Sequence, residues 1–220
     1  MTQFEIEMQD VRKEIIGMWE LVYSQLSKAR ESLLGFNKDL AREVVLREKR
    51  VNAFELKIDQ DCENIFALFC PVAVDLRFLL AVLKINNNLE RIGDIADGVA
   101  GLVIESPSKF ELQALESTQL IQMFDFSLDI LKDTQISFEN DDTLLARTIF
   151  SRDEALDDIN MNADQQIAKY IQSNPANINQ ALYIHSIIRK LERVGDQSKN
   201  IAEEIIFYVE AKVLKHQKSV

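Results

Sequence analysis

Apolar residues recur every three or four positions over six long stretches of this chain. Nowhere do apolar and polar residues alternate convincingly enough for a strand. Met8, Val11, Ile15, Met18, Val22, Leu26, Ala29 and Leu33 give one apolar face to a first helix over about 4–34. Gly35 to Asp39 reads as a turn, and a second helix covers about 40–69. A third starts near Pro71 and ends near Glu105, because Ser106-Pro107-Ser108 does not continue a helix easily. A fourth is expected over about 110–138, with Leu112, Leu115, Leu120, Met123, Leu128 and Leu131 facing the core. After the turn at 139–142, a fifth covers about 143–173. Asn174-Pro175-Ala176-Asn177 breaks the chain, and a sixth runs to about Val213. The tail from Lys215 to Val220 reads as frayed.

Within the third and sixth helices one hexapeptide occurs twice: Leu89-Glu90-Arg91-Ile92-Gly93-Asp94 and, 102 residues later, Leu191-Glu192-Arg193-Val194-Gly195-Asp196. The likeness extends to the second and fifth helices. There Glu48, Asn52, Glu55 and Asp59 match Asp153, Asp157, Asn160 and Asp164 at an offset of 105. Three helices, a break at Pro107 and three more point to an internal duplication. The expected fold is all-α: two tandem, similar three-helix bundles over residues 1–106 and 107–220.

Composition sharpens this picture. Among 220 residues there are only 6 Gly and 3 Pro, which suits long helices with few turns. The net charge of -11 repels nucleic acid and favours cations or a basic protein surface. The apolar run from Ile65 to Val74 is too short to span a bilayer, and the acidic start lacks the apolar run of a signal peptide. A cytoplasmic protein is expected, touching membranes only peripherally through partners. Cys62 and Cys70 lie roughly 12 Å apart along a helix, too far to pair, and both read as buried thiols of a reducing compartment.

Each hexapeptide puts a Glu and an Asp one helical turn apart, roughly opposite the apolar stripe. If neighbouring helices lie side by side, their acids converge. The first half offers Glu48, Glu90 and Asp94, with Asn52 as a weak neutral ligand and Asp97 one turn on. The second half offers Asp153, Asp157, Glu192 and Asp196 and is the richer set. Carboxylate-only sites suit Mg, Ca, Mn or Fe; zinc more often uses His or Cys. The alternative is a solvated face with local salt bridges to Arg91, Arg193, Lys49 or Lys199. His185 sits near the face of Glu192 and is a further candidate ligand, whereas His216 lies in the tail. Gly93 and Gly195 suggest close helix approach or access to the acidic face. Neither motif helix has the Glu-x-x-His pair of a di-iron oxidase.

Pro71-Val72-Ala73-Val74-Asp75-Leu76-Arg77, Lys84-Ile85, the two hexapeptides and Asn200-Ile201-Ala202-Glu203 together closely resemble the PhoU family, the bacterial phosphate-specific transport system accessory proteins. The resemblance covers nearly the whole chain and implies a fold of two similar three-helix bundles. It implies surface clusters of iron or zinc on paired E(D)-x-x-x-D motifs, with Mg or Mn also suited to such ligands. Carried over, these motifs fall on Glu48, Asn52, Glu90 and Asp94, and on Asp153, Asp157, Glu192 and Asp196. The chain departs at Asn52, and has Asn88, Gly98 and Lys49 where relatives often carry Asp, Asn and an acid. In role, the resemblance implies a negative regulator of phosphate uptake and of the phosphate-starvation response. Such a regulator links the phosphate ABC transporter ATPase to a sensor histidine kinase and has no established catalytic activity. Other readings of the acids are a carboxylate-bridged metal-dependent enzyme and a metal-free helical scaffold. A homodimer is expected from the extent of helical surface.

Overall fold

The computed structural model describes residues 1–214, so the expectation for the tail lies outside the described residues, as does that for His216. Helix α1 spans Gln3–Gly35, α2 Lys38–Phe69 and α3 Ala73–Glu105. A short α4, Leu112–Ser117, leads into α5, Leu120–Asn140, followed by α6, Thr143–Ser173. A 3-10 turn at Pro175–Asn177 then opens α7, Ile178–Glu210. There are no strands among the described residues. In each half three long helices pack on one another: α1, α2 and α3, then α5, α6 and α7.

The first connection of each half is built from the same parts. Phe36 closes α1 in the left-handed region (φ 50), and the next N–H, of Asn37, donates to the Ser32 carbonyl at 2.9 Å. The Asn37 side chain then accepts from the N–H groups of Asp39 and Leu40 and so caps α2. In the second half Asp141 takes the left-handed place (φ 52), Asp142 N–H donates to Ser137 at 2.9 Å, and the Asp142 side chain caps α6. The repeat thus reaches the hinges as well as the acids.

The fourth helix differs from expectation. Thr118 Oγ1 donates back to the Ala114 carbonyl at 2.7 Å, and Gln119 turns left-handed (φ 57). A side chain bonding the previous turn competes with the helical ladder, so the helix stops and restarts at Leu120. The apolar register is reset there: Leu112 is exposed, while Leu115, Leu120, Met123 and Phe124 are buried. Cys70 is a second correction. It closes α2 in the left-handed region (φ 47) and is exposed, whereas Cys62 is fully buried and its thiol is pushed up to about 12 by desolvation, with Asp59 and Asp61 adding.

The two halves share one apolar core. Trp19 of α1 is fully buried and donates its indole N–H to the Leu131 carbonyl of α5 at 3.2 Å. Phe78, Phe138 and Tyr208 meet nearby, from α3, α5 and α7, and Arg12 lies over the Phe78 ring at 4.9 Å. Helices α3 and α7 run antiparallel along the seam between halves. Lys84 pairs with Glu204 at 3.0 Å, Asn200 donates to Asn88 at 3.4 Å, and Lys190 lies against Gly98. Asn88 and Gly98 shifted by 102 residues become Lys190 and Asn200, so the last two contacts are equivalents of each other. That reciprocity is the mark of a two-fold relation.

Candidate functional site

In each half the hexapeptide helix lies against the helix that carries the matching acids: α3 against α2, and α7 against α6. The repeated glycines set how closely. A Cβ on Gly93 would come within 3.1 Å of Val51 on α2. On Gly195 it would collide with Asp153 Oδ1 and reach Leu156 Cδ1 of α6 at 2.7 Å. Gly195 thus allows close packing, and the space it leaves is filled by the Asp153 carboxylate.

On the α2–α3 face the acids repel one another across the helix pair. The Glu90 carboxyl is raised to about 7 by burial, then by Asp94 of its own helix and by Glu55 and Glu48 of α2; Arg91 pulls it down. Asp97 is raised by burial and by Glu48 and Asp94, against the pull of Lys190. Glu55 is raised by burial and by Asp59 and Asp94, although it accepts a hydrogen bond from Asn87. Asn86 of α3, fully buried, ties the pair by donating to the Glu55 carbonyl and to Asp59 Oδ1, both at 2.9 Å. Asn52 belongs here too, and its Oδ1 is buried with no hydrogen-bond partner among the described residues. Among the described residues, Glu48, Glu90, Asp94 and Asp97 form no ion pair with a lysine or arginine. Arg91 and Lys49 are exposed and do not supply the local bridges that the spacing allowed.

The α6–α7 face is arranged differently. Asp153 is 2 % exposed, which corrects the expectation that all these acids stand on the outer surface. Its Oδ2 accepts from Lys199 Nζ at 2.5 Å, and the same ammonium reaches Asp196 Oδ1 at 3.3 Å. Asp153 Oδ1 is buried with no hydrogen-bond partner among the described residues. Burial works to lower the Lys199 ammonium, but Asp153 and Asp196 outweigh it and hold it above its ordinary value. Glu192 is raised by burial, then by Asp196, Asp157 and Asp153, with Arg189 opposing. His185, considered as an extra ligand, instead meets Asp164 Oδ1 at 2.7 Å.

Carboxylates that converge with no ion-paired lysine or arginine among the described residues, beside a buried amide oxygen, are the donor type a hard cation takes. The α2–α3 face fits such an ion in donor type and charge. As the side chains stand, no three His, Cys, Asp or Glu among the described residues are gathered tightly enough to hold one. The α6–α7 face does not fit without moving Lys199. Asn86 is the residue missed from sequence. It lies on the face of Glu90 four residues earlier, but its equivalent in the second half is Ile188, so the repeat did not mark it. Asn88 and Gly98, read as departures at the acidic site, lie instead on the α3–α7 seam.

A duplicated three-helix bundle with acids on each motif-bearing helix pair defines the class of protein. The PhoU domain family matches residues 15–103 and again residues 120–205, and the chain belongs to that family. The phosphate-specific transport system accessory protein PhoU homolog of Aquifex aeolicus is 30% identical over 215 residues, covering 96% of this chain and 95% of that protein. The crystal structure of PhoU from Pseudomonas aeruginosa superposes with a TM-score of 0.86 at 30% identity, covering 96% of this chain and 100% of the other. The phosphate transport system regulatory protein PhoU from Streptococcus pneumoniae does so with a TM-score of 0.85 at 26% identity, covering 97% and 100%. The family consists of accessory proteins rather than enzymes. No described helix is long and apolar enough to cross a membrane.

Proposed function

We propose that this chain is a regulatory accessory protein of phosphate-specific transport. It restrains phosphate uptake and the phosphate-starvation response when phosphate is plentiful. One observation carries the reading: both halves match the family, and the relatives, named as accessory proteins of that transport system, align with nearly the whole chain. In this reading it is a cytoplasmic adaptor that contacts the transporter ATPase and a sensor histidine kinase. Its acidic surface and net charge of -11 suit basic partner surfaces. The α2–α3 face holds a hard cation on Glu48, Glu90, Asp94 and Asp97, with Asn52 beside them, and iron, zinc, magnesium or manganese are the ions to look for. A bound cation relieves repulsion among these acids and stiffens the surface offered to a partner. The protein acts as a homodimer, and light scattering should give about twice the 25.3 kDa chain mass; a species at the single-chain mass contradicts that part.

Deleting the gene tests the role. Phosphate-starvation genes are then expressed in high-phosphate medium, and re-expressing the chain silences them. A deletion strain that keeps normal repression rules the reading out.

A further inference from the structure

The duplication copies the acids of the two faces but not their charge balance. Three residues after the motif aspartate, the first half has Asp97 and the second has Lys199. Asp97 adds a negative charge to a face where Glu48 and Asp94 already repel it. Lys199 reaches 2.5 Å from Asp153 Oδ2 and 3.3 Å from Asp196 Oδ1, joining α7 to α6. The Asp153 side chain is 3% exposed, against 32% for Lys199, so the carboxylate is buried and its ammonium enters from the surface. Gly195 leaves the space Asp153 occupies. The first-half equivalent of Asp153 is Glu48, half-buried and without an ion pair among the described residues.

A carboxylate as buried as Asp153 is strongly destabilising unless a cation lies against it. The chain supplies that cation itself. We propose that Lys199 is a built-in counter-cation for Asp153 and Asp196, so that the halves are not equivalent: the second face carries an ammonium of its own, and the first is left to take its cation from solution. The claim about Lys199 stands on the geometry. The claim about the first face rests on the metal reading proposed above.

The two faces then differ in what an incoming ion meets. At α6–α7 a divalent ion has to displace an ammonium from Asp153 or bind beside its positive charge. At α2–α3 it meets Glu48, Glu90, Asp94 and Asp97, which are ion-paired to no lysine or arginine among the described residues, with Arg91 and Lys190 acting only from further off. The repeat therefore separates two tasks. One face is a fixed polar weld between α6 and α7, and the other responds to cation supply.

Manganese is a suitable probe, titrated into the full chain by calorimetry and counted by elemental analysis after gel filtration. Wild type should bind Mn at the first face only. Glu90→Gln should abolish that binding, and Asp196→Asn should leave it unchanged. Lys199→Met should open the second face, adding Mn beyond what wild type holds, and Asp196→Asn in that background should remove the addition. Where wild type binds Mn, a Lys199→Met variant that binds no more of it, or an Asp196→Asn variant that loses as much as Glu90→Gln, overturns the inference. If wild type and Lys199→Met alike bind no Mn, the metal reading and the first-face claim fail together. The Lys199 claim is then judged without metal, in EDTA. There Lys199→Met should lower Tm by a few degrees, and adding Asp153→Asn should restore most of the loss. Losses that simply add in the double variant show that Lys199 does not serve Asp153, and the claim falls.

Discussion

At the scale of single residues, the two motif glycines are equivalent in sequence and unequal in consequence. Alanine gains roughly 1 kcal/mol of helix propensity at either position. At Gly93 the added carbon meets the buried Val51 side chain at 3.1 Å, close enough that Val51 must shift slightly but well short of the collision at Gly195. Gly93→Ala should therefore stay within about 1 kcal/mol of wild type. At Gly195 it runs into the Asp153 carboxylate and Leu156, and Asp153 is held by Lys199. Gly195→Ala should destabilise by about 1–3 kcal/mol, read by urea denaturation. Equal effects of the two variants would show that Asp153 is not held where the structure has it. Sequence spacing indicated close approach at both glycines. It did not separate them, because only coordinates show which side chain fills the space.

Glu90 gives a pH signature. Its carboxyl lies at about 7 in the folded chain, against 4.5 for an unperturbed Glu, with burial the largest cause. Between those values the folded state binds more protons than the unfolded state, so stability falls as pH rises. The favourable contribution is complete below about 4.5 and lost as pH passes 7. Glu55 and Asp97, raised for similar reasons, act in the same sense. In chelator, wild type should lose stability from pH 6 to pH 8, and Glu90→Gln should lose less. An equal fall in the variant would mean that Glu90 ionises as an ordinary carboxylate.

At the scale of elements, the long helices were legible because their apolar stripes run for many turns, from about six in α5 to about nine in α1. The two halves of the expected fourth helix were not separable, since apolar residues continue on both sides of Thr118-Gln119. What breaks it is a local hydrogen bond and one left-handed residue, neither of which leaves a periodic trace. The hinges before α2 and α6 were seen as turns, but their shared construction emerged only from cap geometry. Asn37 and Asp142 each satisfy two N–H groups at a helix start. Asn37→Ala and Asp142→Ala should each remove about 1 kcal/mol of stability, measurable as a lowered denaturation midpoint. No loss at either would show that the duplicated hinge contributes nothing to holding the helices.

At the scale of the whole molecule, the duplicated acids and the matching breaks made the two-bundle fold readable. The degree to which the bundles merge was not readable. Trp19, Phe78, Phe138 and Tyr208 lie in different helices, far apart in sequence, and no repeat aligns them. Because one apolar core crosses the seam, heating should give a single cooperative transition; two well-resolved calorimetric transitions would show that the halves melt independently. The candidate site was legible as far as its residue types and faces. Its charge balance was legible only in part: Asp97 against Lys199 can be read from the repeat, but that Lys199 reaches a buried Asp153 on the neighbouring helix cannot. Anomalous diffraction at the manganese edge, on crystals grown with the ion, tests that difference most directly. A peak among Glu48, Glu90 and Asp94, with none between Asp153 and Asp196, is the predicted result; equal peaks at both faces, or one at the second face only, would contradict it.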